Sequence, residues 1–224
     1  MQINIFHLYP DLLNLYGDLG NINALEKRLK WRGFDVCVSN VENELKDLEN
    51  CHILYLGGGG EREEAEVFEK LSPVKEQLKN YAENGGVILA TCGGFELLGK
   101  LGVLDIEIAT AEKRFSGNVI LNCILDGQSF NLAGFENHSS LVDIKNNAPL
   151  GKVISENAKQ TEGVVYKNVF ATHLHGPLLP KNPILCDIII ARALKENVVN
   201  LKPLDDSFEQ IALEEIEKRV IHNC

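Results

Sequence analysis

Cys92 ends the run Gly86-Val-Ile-Leu-Ala-Thr-Cys-Gly-Gly94, an apolar strand pattern that stops at a cysteine followed by two glycines. An α/β protein builds a nucleophile elbow this way. The strand delivers the side chain, a helix starts at once, and small residues let the chain turn sharply. The Gly93 N–H in the same turn points toward an atom bonded to the sulfur, so nucleophile and oxyanion donor come as a pair, as acyl transfer requires. The plainer alternative is a small apolar residue ending a core strand, because free cysteine is among the most buried residue types. A cysteine nucleophile also needs a base to take its proton and later protonate the leaving group. Six histidines are available, at 7, 52, 138, 173, 175 and 222. His52, at a strand start, and His222, near the terminus, read as structural or solvated. His173 and His175 follow a strand pattern and lie two residues apart, a spacing that puts both imidazoles on one face. With His138 they offer three nitrogens, but no Asp, Glu or Cys lies around them at a recurring metal spacing. Acid–base work is the better reading, and no metal is expected.

Bulk properties narrow the class. The chain has 224 residues, 45% apolar and 24% charged, enough for one large domain with a full core. Its net charge of −10 argues against nucleic acid as a partner, since a phosphate backbone calls for clustered Lys and Arg. No apolar run approaches the roughly 20 residues that cross a bilayer. The start, Met1-Gln-Ile-Asn-Ile-Phe6, reads as a first strand and not as a signal peptide. The six cysteines (37, 51, 92, 123, 186, 224) form no C-x-x-C pair and read as reduced thiols. A cytoplasmic protein is the expectation.

The chain up to about residue 102 alternates strand and helix. Apolar, β-branched runs at 2–8, 34–39, 52–56 and 86–92 predict strands. Helical spacing predicts helices over 21–32, 61–71, 73–84 and 93–101. This alternation predicts a flavodoxin-like parallel sheet flanked by helices, with sites at the carboxyl ends of the strands. The glycine run Gly57–Gly60 and the Cys92–Gly94 turn both fall there and can meet. From about 103 to 175 short β-type runs (118–125, 129–133, 151–154, 163–166, 168–172) predict an antiparallel addition. Helix returns over 184–195 and in an acidic stretch, 205–219. Residues 1–200 read as one domain, and 201–224 as an acidic C-terminal helix of the same unit.

Several runs together resemble a known family. Cys92-Gly-Gly-Phe-Glu-Leu-Leu-Gly99, Tyr55-Leu-Gly-Gly-Gly-Gly-Glu-Arg-Glu-Glu64 and His173-Leu-His-Gly-Pro-Leu-Leu-Pro-Lys-Asn182 resemble the class I glutamine amidotransferases of the cobyric-acid-synthase (CobB/CobQ-like) type. Within that type the chain is most similar to the GatD branch. His7-Leu-Tyr-Pro-Asp-Leu-Leu-Asn-Leu-Tyr-Gly-Asp18 and Gly134-Phe-Glu-Asn-His138 share the resemblance, which runs from about residue 3 to 190.

The resemblance implies glutamine hydrolysis to glutamate and ammonia through a thioester on Cys92, with His175 of the Leu-His-Gly-Pro run as base and then acid. Gly93 and a residue of the glycine run, taken as Gly58, supply the oxyanion hole. Glycine suits that second place because the backbone must approach the substrate closely and can need positive φ. Arg114, a solvated charge on its own evidence, matches the family's arginine for the substrate α-carboxylate, where a planar fork fits both oxygens. The chain departs from the family at Gly60 (often glutamine), at His173 (usually tyrosine) and at Ser139-Ser140 (commonly glycines). Many class I amidotransferases orient the base with an acid two positions later, where this chain has Pro177. The resemblance implies a MurT-like Mur-ligase partner that carries ATP and Mg, receives the ammonia and handles lipid II, converting its D-glutamate to D-isoglutamine. This chain itself would need no cofactor and would not insert into the membrane. A corrinoid-type acceptor and a non-catalytic binding subunit are the alternatives.

Overall fold

The computed structural model describes residues 1–42, 45–155 and 160–221; His222 and Cys224 lie outside them. The chain runs β1 (Gln2–Leu8), α1 (Leu19–Trp31), β2 (Asp35–Val41), β3 (Ile53–Leu56), α2 (Glu61–Leu71), α3 (Lys75–Glu83), β4 (Val87–Thr91) and α4 (Gly93–Lys100). Then follow β5 (Glu107–Leu125), β6 (Gln128–Asp143), β7 (Gly151–Val153), β8 (Thr161–Glu162), β9 (Val164–Tyr166), β10 (Val169–Thr172), α5 (Pro183–Leu194) and α6 (Ser207–Ile221). The main sheet has the order β2-β1-β3-β4-β10-β9. All its pairings are parallel except β9 on β10.

β3 and β4 are buried along their whole length, which explains why they read as continuous apolar runs. Alternate side chains go to opposite layers. Ile53, Tyr55, Val87 and Leu89 pack with Ile22, Leu25 and Leu29 of α1 and Leu185 and Ile189 of α5. Leu54, Leu56, Ile88 and Ala90 pack with Val67 of α2, Leu78 of α3 and Leu97 and Leu98 of α4. With both faces covered, the carboxyl ends of β1, β3, β4 and β10 are adjacent on one rim. From them emerge the segment 9–18, the glycine run, Cys92 and the His173–His175 loop.

The antiparallel sheet, β6-β5-β7-β8, differs from the sequence expectation in length. Runs of 118–125 and 129–133 were expected, but β5 and β6 extend as a ribbon over 107–125 and 128–143. The extra length mixes charged and polar residues with Ile108, Phe115, Phe135 and Val142 at irregular spacing, so no strict alternation marks it. The turn, Asp126-Gly127, has positive φ at both residues, 51° and 76°, the geometry of a tight hairpin. Near the turn the ribbon buries Val119, Leu121, Cys123 and Leu132 in the layer shared with α5. Midway along it Phe135 pairs with His175, whose N–H reaches the Phe135 carbonyl at 3.0 Å. The ribbon therefore reaches the rim where the histidines emerge.

Before α6, Asp206 is tied to the body by Arg28. That buried guanidinium donates from Nε to Asp187 Oδ1 at 2.7 Å and from Nη1 to Asp206 Oδ1 at 2.6 Å. No helix among the described residues is long and apolar enough to cross a membrane.

Candidate active site

The elbow is present in the backbone. Cys92 has φ 52° and ψ −122°, its N–H donates to the Thr172 carbonyl at 2.8 Å, and α4 starts at Gly93. A non-glycine residue in this region is strained by about 1–3 kcal/mol and persists only where the surroundings enforce it. Here the neighbouring strand end does so. The Gly93 N–H is hydrogen-bonded to the sulfur. A Cβ on Gly94 would lie 2.8 Å from the Gly57 carbonyl oxygen, so glycine lets α4 seat against the end of β3.

Gly58 is in contact with the nucleophile. A Cβ there would lie 2.7 Å from Cys92 Cβ and 3.1 Å from Sγ. Positive φ is not the reason for glycine, because none of Gly57–Gly60 adopts it; the requirement is space. The Gly58 N–H, expected to serve an oxyanion, has a partner in the resting site. It donates to Asp18 Oδ2 at 3.2 Å. Asp18 is fully buried and accepts from the Tyr55 hydroxyl at 2.6 Å and the Thr91 hydroxyl at 2.9 Å. Burial raises its pKa, and these donors offset part of that rise. Asn21 extends the network, donating to Tyr55 at 2.8 Å and accepting from the Leu179 N–H at 2.8 Å. One carboxylate thus ties the segment after β1 to β3, β4 and the glycine run, and through Asn21 to the loop after β10.

The two histidines separate. They were expected on one face, with His175 as the base, but each has its own neighbours, because the chain leaves β10 at Thr172 and strand alternation ends there. His173 stacks on His138 (3.7 Å, 9°), with Nδ1 3.5 Å from Glu162 and Nε2 3.6 Å from Glu96. His138, Glu162 and His173 bring potential ligand atoms within 4.8 Å of one another. Parallel stacked rings direct their in-plane lone pairs side by side, however, and not to one point. His175 instead stacks on Tyr16 (3.9 Å, 18°) and meets the edge of Phe135. Both its ring nitrogens are buried without a hydrogen-bond partner. Burial, with Lys181 and the two other imidazoles adding to it, lowers its pKa to about 4.

A cleft of about 820 Å³ opens beside Cys92, and Tyr16, Glu64, Glu96, Arg114 and Asn137 line it. Arg114 lies in a bulge of the ribbon, where residues 111–114 face only Ser139. Its Nε donates to Asn137 Oδ1 at 2.6 Å and Nη2 to the Asn137 carbonyl at 3.1 Å. Burial works to raise the Glu96 carboxyl, but hydrogen bonds from His173 and Ser140 outweigh it and hold it at about 2. The cleft therefore presents a guanidinium and an ionised carboxylate, a pair suited to the two charges of an α-amino acid. Burial and then the Glu96 charge push the Glu64 carboxyl up to about 7. Burial and then Glu64 push the Cys92 thiol up to about 12. At neutral pH the nucleophile and base rest as a neutral thiol and a neutral imidazole.

Of the residues expected from sequence, Cys92, Gly58, Gly93 and Arg114 line or adjoin this cleft, and His175 lies behind Tyr16. Tyr16, Asp18, Glu64, Glu96 and Asn137 were not singled out. All five lie inside the quoted motifs, but only burial and partners distinguish them from their neighbours.

The fold and the elbow define a class I glutamine amidotransferase. A chain of the PurLQS structure from Thermotoga maritima superposes with a TM-score of 0.58 at 16% identity, covering 89% of this chain and 99% of that one. The model of the CobB/CobQ-like glutamine amidotransferase domain matches residues 4–183, and the chain belongs to that family. Two relatives are the GatD subunits of lipid II isoglutaminyl synthase (glutamine-hydrolyzing). The Staphylococcus aureus protein is 34% identical, covering 90% of this chain and 88% of its own. The Streptococcus pneumoniae protein is 35% identical, covering 96% and 90%.

Proposed function

We propose that this chain is the glutaminase subunit of a lipid II isoglutaminyl synthase. The observation that carries the chemistry is the Cys92 elbow in contact with Gly58 and Gly93, at the wall of a cleft that offers Arg114 and Glu96. Near-full-length similarity to the two GatD subunits supports the choice of acceptor. Arg114 binds the α-carboxylate of L-glutamine and Glu96 its α-ammonium. Cys92 Sγ attacks the carboxamide carbon while the thiol proton passes to His175. The Gly93 N–H and a second N–H from the glycine run hold the oxyanion. His175 returns the proton to the departing ammonia, and water attacks the thioester to release glutamate.

The resting electrostatics oppose this chemistry in the free chain. Anionic side chains flank the thiol, and the charge that acts most on the base is the Lys181 cation. No acid among the described residues hydrogen-bonds His175, and an unoriented imidazole is a poor base. An acid supplied by a MurT-like ligase subunit, which binds ATP and Mg and takes up the ammonia, completes the site. The complex works in the cytoplasm, where L-glutamine and reduced thiols coexist. Glutamate release from L-glutamine, measured with and without the Mur-ligase-like subunit for wild type and Cys92→Ala, tests this. Cys92-dependent turnover that rises with the partner is expected. No turnover in either setting overturns the glutaminase reading, and turnover indifferent to the partner overturns the shared site.

A further inference from the structure

The resting site contains its own carboxylate. α2 starts directly after the glycine run, and Glu64, in its first turn, folds back across that run toward the start of α4. A Cβ built on Gly93 would run into the Glu64 carboxyl group. The carboxylate lies beside the Gly59 backbone, and its charge acts directly on the Cys92 thiol. It is half-buried and shares the cleft wall with Gly59, Cys92, Gly93 and Tyr16. Burial and the Glu96 charge push the Glu64 carboxyl itself up to about 7, while the first N–H groups of α4 lie beyond Gly93 and carry the positive end of the helix. That is also where an oxyanion bonded to the Cys92-attacked carbon must form. The Gly58 N–H of the glycine run is already engaged by Asp18.

We propose that Glu64 is an autoinhibitory side chain: its carboxylate occupies the cradle between Gly59 and Gly93 that the substrate carboxamide oxygen must enter, and the site turns over only when that side chain is displaced. The inference rests on the acyl-transfer reading of Cys92. Displacement does two things at once. It opens the space beside Gly59 and Gly93 to an oxyanion, and it removes from beside the thiol the charge that most opposes a thiolate. The remaining charges around the cradle are Glu61 and Glu96 (both anionic), Lys100 and Arg114. Lys100 and Arg114 are cations at the cleft wall toward which a released carboxylate can turn.

The test separates this claim from the glutaminase claim by measuring the thiol itself. Full-length wild type, Glu64→Gln and Glu64→Ala are treated with iodoacetamide at pH 7, and carbamidomethylation of the Cys92 peptide is followed by mass spectrometry. Glu66→Ala, which removes an exposed charge on the same helix, is the control. The expected result is alkylation about tenfold faster in Glu64→Ala and several-fold faster in the isosteric Glu64→Gln, with the control unchanged. Glutamine turnover by the free chain rises in parallel. Equal alkylation rates in wild type and in folded Glu64→Gln overturn the proposal, even if glutamine is hydrolysed. Faster alkylation with no glutamine hydrolysis in any variant upholds the inhibitory contact and removes the glutaminase reading. A rise shared by Glu66→Ala would assign the effect to overall charge and also overturn it.

Discussion

Cys92 and His175 leave neighbouring parallel strands, β4 and β10, yet they are held in opposite ways. The sulfur side is pinned by its own segment. An enforced backbone angle, the N–H bond to Thr172, the Gly93 N–H and the Asp18 network behind Gly58 leave it little freedom. The imidazole side is held by ring contacts with Tyr16 and Phe135, and neither nitrogen has a hydrogen bond. Hydrogen bonds fix direction, whereas ring stacking fixes a plane and leaves rotation within it. The nucleophile is thus preorganised by this chain, and the base awaits something that orients it.

That comparison can be broken in several ways. The largest expected effect is loss of glutaminase activity in Cys92→Ala, by about 10⁴-fold or more in the complex with a ligase partner. His175→Ala should cost about 10²–10⁴-fold in the same complex. In the free chain its cost should shrink below about tenfold, because an unoriented base contributes little there; equal losses in both settings would show that the base is already oriented. Asp18→Ala leaves the Gly58 N–H and two hydroxyls short of an acceptor and should destabilise the fold by about 3 kcal/mol in urea titration. An unchanged midpoint would show that the sulfur side does not depend on that network.

Next comes acid sensitivity. His7 and His175 are both buried, with pKa values lowered by burial from 6.5 to about 4. The unfolded chain therefore takes up protons first. Stability should fall as pH drops from about 6.5 to 4, by at most about 1.4 kcal/mol per pH unit for each group, and flatten with respect to them below that. His7→Leu should remove its share of the slope. Carboxylates such as Glu96, held at about 2, act only at lower pH. The smallest effect is Arg114→Lys, expected to raise the KM for glutamine about tenfold with kcat nearly kept, because a lysine cannot reproduce the fork.

The two regions also differed in how much could be read beforehand. β1, β3, β4 and the helices between them were legible within a residue or two, because strands buried on both faces and helices with one apolar stripe leave periodic marks. The far half of the β5–β6 ribbon left none, and with it the placement of Arg114 in a bulge beside Asn137 stayed hidden. The motif separated His175 from His173 as the expected base, but the surroundings of each could not be read. The difference lies in what reaches them from elsewhere, Glu96 and His138 for one and Tyr16 for the other. Gly58 was expected beside the nucleophile, but the resting partner of its N–H could not be read because that acceptor, Asp18, is 40 residues away.

The sequence by itself determined the α/β alternation, the elbow at Cys92, the glycine run beside it and the family to which the chain belongs. Each of these depends on local backbone preference or on a contiguous motif. Only the tertiary structure decided that the Gly58 N–H is already engaged, that His175 stacks on Tyr16 while His173 stacks on His138, and that Glu64 lies across the cradle. Those outcomes depend on burial and on partners brought from distant strands, and a side chain's charge and free hydrogen bonds follow from what the fold packs around it.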